Sequence, residues 1–275
     1  MAASETTPRH RSFLAQSERI GQHAIMPATP AWPPRSAPRL FVASRLAKGE
    51  QLELGGPQGH YLAKVMRVAE GDAVVLCDDR TGEWAARVAE VGKREVALTV
   101  ESRLRSREQV PDFWLCAALL KKDRFDLVLE KATELGVRAI RPVLTRRCVA
   151  DRLNPERARA IVVEAAEQCA RNALPELAAP VKLAELLRDW PEDRALFFAD
   201  ELGGAPAAQA FAALSGPAAL LTGPEGGFDD AERDAIRALP QAVPISLGPR
   251  VLRGETAAIA GVALWMATAG DWASE

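Results

Sequence analysis

Tyrosine occurs once in this chain, histidine three times, and the four cysteines stand far apart in 275 residues. Cys77, Cys116, Cys148 and Cys169 form no CxxC pair, which argues against a structural zinc site and against a secreted disulfide framework. They read as reduced thiols of a cytoplasmic protein, and no metal is expected. An excess of one charge is also lacking. Thirty-five basic residues against 37 acidic leave a net −2, so any nucleic-acid binding must rest on local basic patches. Apolar runs able to span a bilayer are missing too. Leu202 to Pro224 carries no charge, but Pro206, Gln209, Ser215 and Gly216-Pro217 break it into short pieces. Thr256 to Gly270 is apolar and too short to span, and it reads as a buried core helix. With 48% hydrophobic and 26% charged residues, the chain has ample material for a core and length for one or two domains.

Residues 1–37 stand apart. Up to position 38 the chain holds six prolines, four arginines against two glutamates, and no sustained apolar period, which reads as a disordered extension. Removing residues 1–25 is expected to leave fold and activity intact, checked by a thermal melt beside an activity assay. From 38 to 108, Val74–Leu76, Trp84–Val91 and Val96–Val100 are short β-rich runs punctuated by Gly71-Asp72, Thr81-Gly82 and Gly92-Lys93, the spacing of a small barrel. His60 to Val68 predicts a short helix carrying Lys64 and Arg67.

The pattern then changes. Over 112–275, strand-like runs at Phe113–Leu120, Ile140–Leu144, Ala195–Ala199, Ala218–Thr222 and Val243–Leu247 alternate with helical periods at Asp123–Leu135 and Pro155–Arg171. Such alternation predicts a parallel α/β sheet covered on both faces.

Two segments carry chemistry. Leu221-Thr222-Gly223-Pro224-Glu225-Gly226-Gly227 runs from an apolar strand into a glycine-rich loop, ahead of a helix opened by Asp229, Asp230 and Glu232. It is neither a Walker loop nor a dinucleotide fingerprint. Leu247-Gly248-Pro249-Arg250-Val251-Leu252-Arg253-Gly254-Glu255 is again a strand, a turn and a helix start, with two arginines suited to a carboxylate or phosphate. Ligands of parallel sheets sit at such carboxyl ends of strands.

Together these segments resemble the RsmE family of ribosomal RNA methyltransferases, members of the SPOUT class. The family pattern is a GPEGG loop followed by LGPRxLRTETA. Here it is Gly223 to Gly227 and Leu247 to Ala257, with Gly254 where the family usually has Thr. Weaker signatures occur in order. They are Pro38 to Phe41, His60 to Arg67, Lys131 to Val137 and Glu164 to Arg171.

The resemblance implies an α/β protein with a C-terminal trefoil-knotted, parallel-sheet SPOUT methyltransferase domain. An N-terminal PUA-like β-barrel would hold RNA. It implies methyl transfer from S-adenosylmethionine to N3 of uridine 1498 (ribosomal numbering) in the 16S RNA of the small ribosomal subunit, by a cytoplasmic homodimer. Alternatives are a SPOUT enzyme acting on another RNA such as tRNA, and a non-catalytic RNA-binding protein. Carried onto this chain, the cofactor would lie against Leu221, Thr222, Gly223, Pro224, Glu225, Gly226, Gly227, Leu247, Gly248, Pro249, Arg250 and Leu252. Arg253, Glu225 and Arg250 are the expected catalytic residues, as cations or a base toward the uridine. Arg39, Lys64, Arg67, Arg146, Arg147 and Arg171 are the expected RNA contacts. Arg103, Arg105 and Arg107 alternate, so in a strand they share a face, and with Arg138, Arg141 and Arg152 they are candidates for a backbone-tracking groove.

Overall fold

The structure, a computed structural model, describes residues 32–274. The expectation for residues 1–31 lies outside the described residues. Residues 32–37 correct the expected extent of the extension. Trp32 donates its indole N–H to Glu101 at 2.9 Å, and the Arg87 guanidinium lies 4.0 Å from its ring centroid. A single aromatic anchor carries no periodicity, so the sequence pattern did not reveal it.

The first sheet contains β1 (Arg39–Phe41), β2 (Gln51–Leu54), β3 (Ala73–Cys77), β4 (Glu83–Val91) and β5 (Val96–Arg105), in the order β1-β3-β4-β5-β2. Leu40, Val74, Leu76, Val88 and Val100 fill its core together with Leu62. Leu62 comes from a helical crossover. Helix α1 (Gly56–His60) widens into a π-helical turn over Tyr61–Met66, which ends at Arg67 in the left-handed region. The helix expected from His60 to Val68 therefore starts earlier and stops sooner.

The second sheet contains β6 (Phe113–Ala118), β7 (Ala139–Leu144), β8 (Glu176–Leu177), β9 (Val181–Lys182), β10 (Ala195–Ala199), β11 (Ala205–Pro206), β12 (Ala218–Thr222) and β13 (Ala242–Ser246). Its order is β11-β13-β10-β12-β6-β7-β8, with β9 beside β7, and its pairings are parallel. Helices α2 (Lys122–Glu134), α3 (Pro155–Gln168), α4 (Leu183–Arg188), α5 (Ala207–Ala213), α6 (Asp230–Arg237) and α7 (Gly254–Thr268) fill the connections. Two apolar clusters flank this sheet. One gathers Phe113, Phe125, Leu129, Phe211 and Val262, the other Leu186, Phe198, Leu221 and Ile236. Burial on both faces explains why β6 and β12 read as continuous apolar runs rather than alternating ones. Trp265 of α7 stacks on Phe113 with centroids 4.0 Å apart, a contact worth about 0.5–1.5 kcal/mol beyond its burial.

Helix α3 starts as expected, with Asn154 accepting from the Arg157 N–H at 3.0 Å. It ends at Gln168, short of the expected Arg171, because Ala170 takes a left-handed turn. That turn drives Arg171 inward and corrects its expected RNA contact. Its guanidinium is buried and donates to the carbonyls of Thr133 and Val137 at 2.7 Å each and to that of Ala173. Burial pushes its pKa down to about 10, which still leaves it charged at neutral pH. Arg171→Met should orphan these carbonyls and cost about 3 kcal/mol. A melt should fall by roughly 6–12 °C. RNA affinity of the folded variant should be unchanged in a binding titration.

Arg105 and Arg107 are also engaged internally. Arg105 pairs with Glu83 and donates to the Ala170 carbonyl, and Arg107 pairs with Asp79 at 3.0 Å. Asp79 also accepts from the Leu174 N–H at 2.9 Å, and Glu167 of α3 accepts from the Phe41 N–H at 2.8 Å. Such contacts join the two sheets. Arg141 likewise stacks on Trp114, 3.8 Å from its centroid. Sequence alone shows the charges but not these remote partners.

Candidate active site

Three strands, β10, β12 and β13, deliver their carboxyl ends to one cleft. It has a cavity volume of about 160 Å³ and is lined from three loops, including Asp200 and Glu201, Gly223, Pro224, Gly227 and Phe228, and Leu247 to Leu252.

The glycine loop follows β12 and is held from both sides. Phe228 is buried and packs edge-on against Phe198, with centroids 6.5 Å apart. Asp229 then caps α6: it accepts from the Glu232 N–H at 2.8 Å, while Glu232 accepts from the Asp229 N–H at 3.2 Å. Within the loop, the Gly227 N–H donates to the Pro224 carbonyl at 3.0 Å, closing a turn. Gly227 has φ +65°, and a Cβ there would lie 2.8 Å from Glu201 Oε1. Only glycine fits without strain.

An ionic cluster built on the buried Asp200 and Arg233 fixes the wall beside it. Arg233 of α6 reaches Asp200 at 3.2 Å and Glu201 at 3.1 Å, and Arg237 reaches Asp200 at 2.6 Å. Burial pushes the Asp200 carboxyl up. Hydrogen bonds from Arg237 and the Leu202 N–H, with the two arginine charges, outweigh it and hold the group below the usual carboxylate value. Sequence reading missed Asp200, Glu201 and Arg233. The available signal was an acidic pair directly after an apolar parallel strand, at the end where ligands bind.

The second loop runs from β13 to α7. The N–H groups of Arg250, Val251 and Leu252 donate to no acceptor among the described residues. They are available to a ligand lying in the cleft. Gly254 opens α7 against the other loop. A Cβ there would come within 2.8 Å of Leu120 Cδ2 and 3.1 Å of the Gly223 carbonyl oxygen. The family's usual threonine would therefore need Leu120 to shift. Glu255 is buried in the first helical turn and pairs with Arg124 of α2 at 2.7 Å, so it anchors the helix.

The residues singled out from sequence divide as follows. Gly223, Pro224, Gly227, Leu247, Gly248, Pro249, Arg250 and Leu252 line the cleft. Leu221 and Thr222 are buried at the end of β12 beneath it. Glu225 and Gly226 are exposed on the loop's outer side, where Arg147 donates to the Gly226 carbonyl at 2.8 Å. Arg253 is the exposed cap residue of α7, beside the cleft rather than lining it. Arg146 is exposed and pairs with Asp229 at 3.0 Å. Arg39 pairs with Glu83 at 2.5 Å at the sheet junction. Lys64 and Arg67 are exposed on the first sheet's helical crossover. Among the described residues, no three His, Cys, Asp or Glu side chains are grouped to hold a metal ion, and no helix is long and apolar enough to cross a membrane.

This fold and cleft match known proteins. The family described as an RNA methyltransferase domain matches residues 107–266, and an RNA methyltransferase PUA domain matches residues 54–101. The chain is therefore a member of the RNA methyltransferases. A ribosomal RNA small subunit methyltransferase E from Synechocystis sp. is 34% identical over 229 residues, covering 80% of this chain and 74% of that protein. A Legionella pneumophila methyltransferase solved with bound cofactor SAM is 32% identical, has a TM-score of 0.76, and covers 86% of this chain and 99% of that one. A ribosomal RNA small subunit methyltransferase E from Neisseria gonorrhoeae, bound to S-adenosyl methionine, gives 26% identity and a TM-score of 0.78 over 86% and 99% of the two chains. Within the RNA methyltransferases, the chain belongs to the RsmE family.

Proposed function

We propose that this protein methylates N3 of uridine 1498 (ribosomal numbering) in the 16S RNA of the small ribosomal subunit, using S-adenosylmethionine. The observation that carries the reading is the meeting of the two glycine loops, Gly223 against Gly254, around one cleft with free main-chain donors. Gly223, Pro224 and Gly227 would hold the cofactor from one side, with the Leu247–Leu252 main chain on the other. When bound, S-adenosylmethionine supplies a methyl group already activated on a sulfonium.

The chain's own residues must prepare the acceptor. Uridine N3 carries a proton at neutral pH and becomes a good nucleophile on losing it. Arg250 and Arg253 are exposed and form no ion pair among the described residues, so both are free to stabilise the uridinate. Glu225 is an exposed carboxylate on the same loop system, available to accept the N3 proton. The remaining acceleration comes from alignment of the acceptor with the methyl group.

In this reading, residues 38–108 form the RNA-holding module and residues 112–275 the methyltransferase, with the trefoil knot implied by the resemblance. The protein works in the cytoplasm. We also expect a homodimer. Helix α7 is apolar along most of its length, and Val251 beside its start is 87% exposed. Light scattering at micromolar concentration should give twice the chain mass, and a monomer alone would contradict this.

The test of the function is nucleoside mapping by mass spectrometry. Small subunits from a strain lacking the enzyme should gain one 3-methyluridine, at position 1498, after incubation with protein and S-adenosylmethionine. Methylation at another site, or none, would overturn the assignment.

A further inference from the structure

Many cations of this protein are neutralised internally. Arg39 and Arg105 share Glu83, Arg138 and Arg194 share Asp112, and Arg233 and Arg237 share Asp200. One cavity departs from this pattern. It lies between α1, the π-helical turn and the β4–β5 turn, with a volume of about 270 Å³. Its ionisable lining is wholly basic: His60, Lys64, Lys93 and Arg94. Lys64, Lys93 and Arg94 form no ion pair among the described residues.

The two walls are held in register by backbone. Gly59 is buried, and a Cβ there would lie 2.4 Å from the Leu54 carbonyl oxygen and 2.9 Å from that of Arg94. The helix is thus pressed onto the turn, and the positions of His60 and Lys64 relative to Arg94 are preset. The nearest carboxylate in sequence does not neutralise the cluster. Glu95 faces Glu53, which raises its pKa from the ordinary value, and it forms no ion pair with the cluster among the described residues. Val65 and Met66 on the same π-helical turn are 61% and 38% exposed, so apolar surface adjoins the cations. Widened helical turns of this kind occur frequently at functional sites.

We propose that this cavity grips a backbone phosphate of the substrate RNA, with Lys93 and Arg94 as contacts that complete the one made by Lys64. A phosphodiester suits a site with several donors and no opposing charge, and the flanking sugar can rest on Val65 and Met66. The inference rests on the RNA methyltransferase reading and adds a contact point more than twenty residues from the helical signature, on a separate turn of the barrel.

The experiment is a fluorescence anisotropy titration of a labelled 16S RNA fragment carrying the target uridine. It is run at several potassium chloride concentrations with wild type, Lys93→Ser/Arg94→Ser and, separately, Lys64→Gln. Each phosphate contact contributes about 0.7 to the slope of log K against log salt for single-stranded RNA. The cavity holds one phosphate, so the double variant should lose about 0.7 of slope and Lys64→Gln a part of that same 0.7. Affinity for S-adenosylmethionine and melting temperature should stay at wild-type values. If the double variant melts early, Lys64→Gln alone decides the matter. A wild-type protein that methylates the fragment while the variants keep its slope removes the site alone. A wild-type protein that neither binds nor methylates removes the enzymatic reading and the site with it. Inorganic phosphate at matched ionic strength should not compete, and competition would reassign the cavity to a free anion.

Discussion

Gly227→Val is expected to weaken S-adenosylmethionine binding by about a hundredfold or more, measured by calorimetry. Two separate costs add. Valine at φ +65° is a backbone strain of about 1–3 kcal/mol. The new Cβ would also sit 2.8 and 2.9 Å from the two carboxylate oxygens of Glu201. Arg233 holds Glu201 at 3.1 Å and is itself held by Asp200, so swinging the Glu201 carboxylate aside breaks that ion pair in the cleft wall. Where Glu201 stays in place the loop moves, and with it Pro224 and Phe228 in the cleft wall. At 1.4 kcal/mol per decade, about 3 kcal/mol gives the stated loss. Gly226→Val is the control. Its Cβ would face only the Arg147 side chain, at 3.2 Å, and Gly226 does not line the cleft. The nearest atom is Arg147 Cβ, so the backbone there must give by a few tenths of an ångström, and a smaller loss than that of Gly227→Val is expected. Equal damage from both variants would show that the loop binds through its outer face instead.

Arg253→Ala should slow single-turnover methylation of small subunits by roughly ten- to a hundredfold at saturating cofactor, the loss of one charge-assisted contact of about 1.5–3 kcal/mol. Stability should hardly change. Arg253 is exposed, and as the cap residue of α7 its side chain makes no capping hydrogen bond, so the helix loses nothing with it. Lysine should rescue only in part, because it keeps the charge and lacks the planar fork. Near-wild-type turnover would remove Arg253 from the chemistry, and a large drop in melting temperature would make it structural.

Strands were the most legible part of the fold. Ala195–Ala199 and Ala218–Thr222 are observed at the residues expected, since an apolar run between turn residues has few other uses. The glycine loops were legible as strand-to-helix passages, but their composition alone did not separate them from ordinary turns, and the family resemblance did. The fate of each arginine was not legible. Arg171 and Arg67 both close a helical signature. One is buried against carbonyls contributed by residues 34 and 38 positions away, and the other is in solvent. Local sequence holds no record of partners at that distance. The same limit concealed the cluster of Asp200, Glu201 and Arg233, whose members come from different strand–helix units.

The close approach at Gly254 also bears on the order in which this sequence can change. A Cβ at 254 meets Leu120 at 2.8 Å, so Gly254→Thr alone carries a clash into the first turn of α7. Leu120→Ala, made first, empties that space at the expense of a buried side chain. Neither single step is favourable, while the pair restores a filled contact. Positions 120 and 254 are therefore coupled across the fold: a side chain at 254 must be accommodated both by Leu120, in the loop after β6, and by the Gly223 carbonyl of the other cleft loop.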